Sequence, residues 1–189
     1  MLTSGVHLNR TTSDLMVILR PTGKLHRSIT PAEEPVSPST TALGDWYVGP
    51  LKVDYQPLLL LLSSASLLAI VTPARHVSTL ADRLPELVAG RLHRLQVPGS
   101  LIEAETAAMT PVHVARTRDR SVLGTLVDFV KAIPYYLPVR GWDDTTLPFL
   151  EGRLAETPCR CGGRDDQVVW PGEDSMRLLW NRWQTSPSA

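Results

Sequence analysis

Five consecutive leucines at residues 58–62 constrain this chain more than any other stretch. Ser63, Ser64, Ala65 and Ser66 follow, and then a second apolar run, Leu67-Leu68-Ala69-Ile70-Val71. A helix crossing a bilayer needs ~20 apolar residues. This stretch is shorter, carries serines at its centre, and lies far from the N-terminal place of a secretory signal. Two apolar arms around a small polar patch read as two buried strands and a tight turn. The competing reading is one buried helix, because leucine favours helices and periodicity does not separate the two. The serine cluster and the β-branched end Ile70-Val71-Thr72 favour the hairpin. Both arms are apolar at every position, so both faces of the sheet should be covered by helices.

The 189 residues suit one ordinary domain with tails. Residues 1–15 are polar and unpatterned and read as a disordered lead-in. On this reading they are dispensable, and Met16 is a candidate for the true start. Residues 16–158 read as a single α+β domain, and 159–189 as an irregular C-terminal tail with a short helix over 175–183. A first strand over 16–20 ends at Pro21-Thr22-Gly23, followed by a helical turn over 24–29. Residues 30–41, with Pro31, Pro35 and Pro38, read as a surface loop. Leu43, Trp46 and Tyr47 have helix-compatible spacing, and Gly49-Pro50 would stop such a helix. A strand over 51–55 then leads into the leucines.

Downstream, a short helix over 78–83 is expected to break at Leu84, because a residue before proline disfavours α geometry. A second helix starts at Pro85. Leu87, Val88, Leu92 and Leu95 form its stripe, with Arg91, His93 and Arg94 outside it. A helix over 101–109 turns Glu103 and Glu105 to water. A strand over 112–116 precedes a helix over 121–133 that buries Leu126, Phe129, Val130 and Ile133 and that Pro134 ends or kinks. A further helix is expected over 146–155. The class is α+β, with a mainly antiparallel sheet, a central hairpin and helices packed on its faces.

Four motifs occur in order: Met16-Val17-Ile18-Leu19-Arg20 with Gly23-Lys24-Leu25; Leu43-Gly44-Asp45-Trp46-Tyr47; Arg120-Ser121-Val122-Leu123-Gly124; and Leu154-Ala155-Glu156-Thr157-Pro158-Cys159. Together, over residues 16–159, they resemble a bacterial family catalogued as domain of unknown function 6933. The resemblance implies no established activity and no cofactor. The chain also departs from the family pattern. Asp119 stands where the family tends to have asparagine, and Thr125-Leu126-Val127 replaces a serine-methionine-asparagine run. Gly49-Pro50 interrupts a usually continuous segment, and Cys161-Gly162-Gly163 replaces a Gly-Pro-Leu-like continuation.

Basic and acidic residues balance at 19 each. That balance argues against a general nucleic-acid binder, whose affinity comes from neutralising phosphates; an arginine set of Arg116, Arg118 and Arg120 is the least favoured reading. Cys159 and Cys161 are too close together to staple a secreted fold. With no signal or membrane segment in view, the expected compartment is the cytoplasm. Two thiols without a following histidine do not make a structural zinc site, so no metal is expected.

Two clusters are candidates for ligand binding. Asp45, Trp46 and Tyr47 combine a carboxylate with two stacking rings; the plainer alternative makes the rings core anchors and Asp45 a turn residue. Arg118, Asp119, Arg120 and Ser121 precede a helix N-terminus, where amides and arginines attract anions. The plainer alternative there is a cap with solvated arginines. His113 and Asp128 would make a base and its orienting acid only if brought within hydrogen-bond reach. No serine elbow, Walker loop or dinucleotide fingerprint is present. Catalytic residues are therefore unassigned, and the enzyme question leans towards no. The leading expectation is a non-catalytic interaction or regulatory module with a protein partner. The alternative is a domain binding an anionic small molecule or nucleotide through Arg120 and Asp45.

Overall fold

The computed structural model describes residues 15–23, 25–26, 28–29, 37–53, 55–75, 77–137, 142–160 and 167–184. The expected lead-in before residue 15, Lys24, most of the proline-rich loop and Cys161 lie outside them. In chain order the elements are β1 (Val17–Pro21), β2 (Trp46–Val53), β3 (Gln56–Ser63), β4 (Ala69–Pro73), α1 (Leu80–Arg94), α2 (Gly99–Ala107), β5 (Val112–Val114), α3 (Arg120–Tyr136), α4 (Thr146–Ala155), β6 (Cys159–Arg160), β7 (Val168–Val169) and α5 (Pro171–Trp183).

The leucine run forms the expected hairpin: β3 and β4 pair antiparallel, from Leu58 opposite Pro73 to Leu62 opposite Ala69. Ser63 builds its turn. Its Oγ accepts from the amides of Ala65 (3.2 Å) and Ser66 (3.1 Å) and donates to the Leu43 carbonyl (2.6 Å). The main sheet runs β4-β3-β2-β1-β5. Pairing is mainly antiparallel: eight residue pairs join β2 to β3 and five join β3 to β4, against three in each parallel ladder of β1 with β2 and with β5. The hairpin does not occupy the sheet centre, as expected from its apolarity; β2 does, and β4 is an edge strand.

Strand periodicity divides the leucines between two cores. Leu59 and Leu61 pack with Val17, Leu19, Trp46 and Val48 beneath α1, α2 and Leu179 of α5. Leu58, Leu60 and Leu62 pack with Tyr47 and Leu51 against Val122, Leu126, Phe129 and Ile133 of α3 and Leu150 and Leu154 of α4. Both faces are covered, as the apolar arms require.

Several local expectations are corrected, mostly at prolines. Residues 46 and 47 begin β2 and are not helical. Pro50 lies within that strand: β1 ends its pairing at Val48, so no ladder partner needs the missing N–H. Pro85 lies inside one continuous α1, whose Leu80, Leu84 and Val88 are buried. An internal proline costs roughly 3 kcal/mol, and burying each of those side chains returns ~1.5–3 kcal/mol. At Pro134, where the sequence allows an end or a kink, the helix does not end: α3 continues to Tyr136. The segment read as a tail contributes α5, thirteen residues long, with Leu179 fully buried.

Candidate functional site

Two clusters of buried charge tie elements of the molecule together. The first surrounds Asp45. Its backbone enters β2 from a turn in which Gly44 has φ +70°, and a Cβ there would stand 2.6 Å from Ser64 Oγ. Ser64 Oγ in turn accepts from the Asp45 amide at 2.8 Å, so the serine turn and the Gly44 turn are built on each other. The Asp45 carboxylate accepts from Arg20 Nε and from the Ser39 hydroxyl, and Arg118 stands 3.8 Å away. Arg20 also donates to the Arg116 carbonyl. Arg20 and Asp45 are 3% and 7% exposed. This pair therefore ties β1 and the loop before β2 to the loop that follows β5.

The Tyr47 hydroxyl accepts from the Asp119 amide at 3.1 Å, and burial raises the pKa of that hydroxyl. Asp119 caps α3 through bonds from the Ser121 and Val122 amides at 2.8 and 3.3 Å. The capping alternative weighed for this segment is thus present in the structure, carried by Asp119.

The predicted site residues separate. Asp45, Tyr47, Arg118 and Ser121 border one region. Trp46 is fully buried on the opposite face of the sheet, among Val48, Leu59 and Leu61. Arg120 is exposed on α3. Asp128 is exposed and lies 3.7 Å from Lys131, and His113 sits on the short edge strand β5. A cavity of about 350 Å³ does open beyond the ends of β1 and β5, lined by Pro21, Gly23, His26, Arg116 and Thr117. His26 reaches it because the chain turns back after β1, the Leu25 and His26 amides donating to the Thr22 carbonyl. The His26 Nε2 atom is buried without a partner among the described residues. Among those residues no three His, Cys, Asp or Glu side chains gather as metal ligands, and no helix is long and apolar enough to cross a membrane.

The second cluster is centred on Glu151 of α4, 1% exposed. Its Oε1 accepts from the Val71 amide at 2.9 Å, and Arg91 Nε donates to the Ala69 carbonyl at 3.1 Å. These are outward-facing groups of the edge strand β4, which ends in a proline. Side chains thus take the place of a further strand. Arg91 Nη2 donates to the Glu151 carbonyl at 2.7 Å. Arg94 grips Glu151 Oε2 with Nε and Nη2 at 3.1 and 2.7 Å. Burial lowers the pKa of Arg91, and the Glu151 charge opposes that shift.

Over this cluster lies a groove of about 980 Å³ between α1, α4 and α5. Leu95, Pro148, Met176, Trp170 and Trp180 supply its apolar lining, and Arg91, Arg94, Glu156, Glu173 and Arg177 its charged lining. The tryptophans remain 43% and 38% exposed.

Arg91, predicted to lie outside the stripe of α1, is 2% exposed, and Glu105, predicted to face water, is fully buried. Glu105 accepts from the amides of Ala42 and Leu43, both at 2.9 Å, and from Trp183 Nε1 at 2.8 Å. The signal for these residues was available in the spacing. Arg91 falls between Val88 and Leu92, Glu105 follows Leu101 and Ile102, and Glu151 precedes Leu154, each on its helix's apolar stripe. A charge within such a stripe marks a buried partner.

A family model for a domain of unknown function, DUF6933, matches residues 18–174. The chain belongs to this family. No curated protein and no solved structure matches it. The match spans both charge clusters, from Arg20 to the start of α5, so both lie within the DUF6933 domain.

Proposed function

We propose that this DUF6933 domain is a non-catalytic interaction module that seats a partner segment in the α1–α4–α5 groove. One observation carries the reading: two tryptophans, 43% and 38% exposed, face a groove of about 980 Å³ that also takes in Arg91 and Arg94, the two arginines paired with buried Glu151. Large exposed aromatics beside a pocket are the usual anchors of protein interfaces. The buried acids support the non-catalytic part, since Asp45, Glu105 and Glu151 are each engaged in holding backbone amides, hydroxyls or guanidinium groups. A two-cysteine composition supports a cytoplasmic setting. The test is selection of peptides from a random display library on the full chain. Binders should lose about tenfold or more in affinity to Trp180→Ser, the scale of a lost aromatic anchor, while the melting temperature stays within a few degrees. Binders indifferent to Trp180→Ser would sink the reading.

The small-anion alternative finds one supporting observation, away from Trp46 and Arg120: the cavity lined by His26, Arg116 and Thr117, where the buried His26 Nε2 has no partner among the described residues. Titration with inorganic phosphate separates the two placements. Saturable binding lost in Arg116→Gln and kept in Arg120→Gln supports the cavity; the reverse supports the helix terminus.

A further inference from the structure

We infer that the cavity beyond the ends of β1 and β5 binds a small oxyacid, a molecule carrying a carboxylate or phosphate group, whose oxygens supply the hydrogen bonds that His26 Nε2 and Thr22 Oγ1 lack. The inference is independent of the α1–α4–α5 groove. It rests on the small-anion reading of this cavity and adds the contact groups and the ligand class.

The cavity lies where the strand order makes a crevice. β1 and β5 are neighbours and run parallel, with Leu19 opposite Val114, so the chain leaves both strands at the same end of the sheet. It leaves them towards opposite faces. After β1, Leu25 and Ile29 enter the core beneath α1 and α2; after β5, the chain continues into α3, whose Val122 and Leu126 pack in the other core. Connections that part in this way leave a crevice at the carboxyl ends of the strands, the general ligand position in open sheets. Pro21, Gly23 and His26 line it from the first connection, and Arg116 and Thr117 from the second. The Arg116 backbone is fixed there, because its carbonyl accepts from Arg20, itself buried against Asp45. At about 350 Å³ the space is at the lower end of the roughly 300–1,000 Å³ of ligand sites, which suits a small molecule and not a polymer.

Two unpaired polar atoms mark the turn after β1. Among the described residues, His26 Nε2 and Thr22 Oγ1 are buried without a hydrogen-bond partner. The turn around them is otherwise bonded: the Thr22 amide donates to the Val48 carbonyl at 2.8 Å, and the Leu25 and His26 amides donate to the Thr22 carbonyl at 2.8 and 3.0 Å. A buried polar group left unpaired costs stability and calls for a partner. Turning the imidazole or the hydroxyl to meet a ligand breaks no bond at either atom. The sign of the ligand follows from the lining. Its ionisable side chains are His26 and Arg116, with no carboxylate beside them. Asp45 and Asp119, the acids of the adjoining cluster, are committed elsewhere, the first to Arg20 and Ser39 and the second to the Ser121 and Val122 amides. Arg116 is exposed and its charge is screened, so it attracts an anion, and selection falls to the two buried atoms. An oxyacid has enough acceptor lone pairs to serve imidazole, hydroxyl and guanidinium together.

The test titrates the full chain with inorganic phosphate, glycerol phosphate and succinate, with glycerol and succinamide as neutral controls. The His26 imidazole is followed by nitrogen-15 NMR. At least one of the acids should bind saturably and shift the His26 Nε2 resonance, and neither neutral control should; which acid binds distinguishes a phosphate from a carboxylate site. Thr22→Val and His26→Phe each replace an unpaired polar atom with an apolar one in a similar shape. Each should weaken the acid about tenfold or more, the scale of one hydrogen bond to a charged group, while the melting temperature of the free protein stays level or rises. His26→Gln, which keeps an N–H donor, should retain part of the affinity. Acid binding that needs Arg116 but is unmoved by Thr22→Val and His26→Phe would overturn this inference and leave the cavity reading standing. Binding indifferent to Arg116→Gln as well would overturn both. Saturation by none of the acids, equal binding of the neutral controls, or a melting temperature several degrees lower in both apolar variants would also overturn the inference.

Discussion

The Asp45 and Glu151 clusters use the same ingredients differently. Each has a buried carboxylate, more than one arginine nearby and a guanidinium bonded to a backbone carbonyl. The Glu151 cluster lies beside the antiparallel half of the sheet, where β4 would otherwise present a bare edge, and it substitutes for a missing strand. The Asp45 cluster lies beside the parallel half, where β1 already has a strand on each side. There the pair holds loops, fixing the Arg116 carbonyl and hence the path from β5 to α3. A buried ion pair is therefore not one kind of stabiliser. Its effect follows from whether it satisfies an element's backbone or positions a connection.

The largest effect should come from the edge. Glu151→Ala strips Arg91 of its acid and Val71 of its acceptor, and breaking a buried pair from one side costs about 3–5 kcal/mol. Urea unfolding should show a loss on that scale; a loss near zero would mean that β4 needs no such cover. Asp45→Asn keeps one acceptor, for Arg20, turns an NH2 donor toward the Ser39 hydroxyl and loses the charge, an expected cost of roughly 1.5–3 kcal/mol. Its distinguishing mark is local. Amide exchange should quicken over residues 115–119 more than over 69–73, and uniform quickening would erase the contrast between the clusters. Asp119→Ala removes the α3 cap, with an expected loss of about 1 kcal/mol, and fraying confined to the first turn should appear by the same exchange measurement.

The smallest effect sharpens the comparison with a third acid. Glu105 accepts three N–H bonds, and burial raises its pKa above the ordinary 4.5. Its contribution to stability is fully present below pH 4.5 and is lost as pH rises through the folded value. The advantage of the wild type over Glu105→Gln should therefore shrink as pH is raised from 4.5 towards neutrality, read from paired melting curves. An advantage that grows with pH would show that the three donors outweigh desolvation.

Much of the fold was legible because it depends on local chemistry. Residues 58–62 and 67–71 announced a two-sided sheet, Ser63 and its neighbours announced the turn, and α4 runs over the span its sequence suggests. The misread positions share a cause. Pro85 carries a strong local penalty, yet Leu84 next to it is buried, and packing outweighed the local preference. Trp46 and Tyr47 are adjacent in sequence and on that ground suggest one cluster. A strand sends neighbours to opposite faces, so one supports the α1–α2 core and the other reaches Asp119.

By itself, then, the sequence determined the α+β class, the hairpin, the covered sheet and membership in DUF6933, because apolar runs, turn residues and motif order act within a few residues of one another. Tertiary structure alone decided the strand order, the edge position of β4, and which charges are buried together. Val71 meets Glu151 across eighty residues, and Ser66 meets Ser175 across 109. Contacts of that separation depend on how whole elements pack, and no local pattern records them. The groove over Glu151 is a product of the same packing: α1, α4 and α5 are separate in the chain, and only their meeting leaves Trp170 and Trp180 facing a common space.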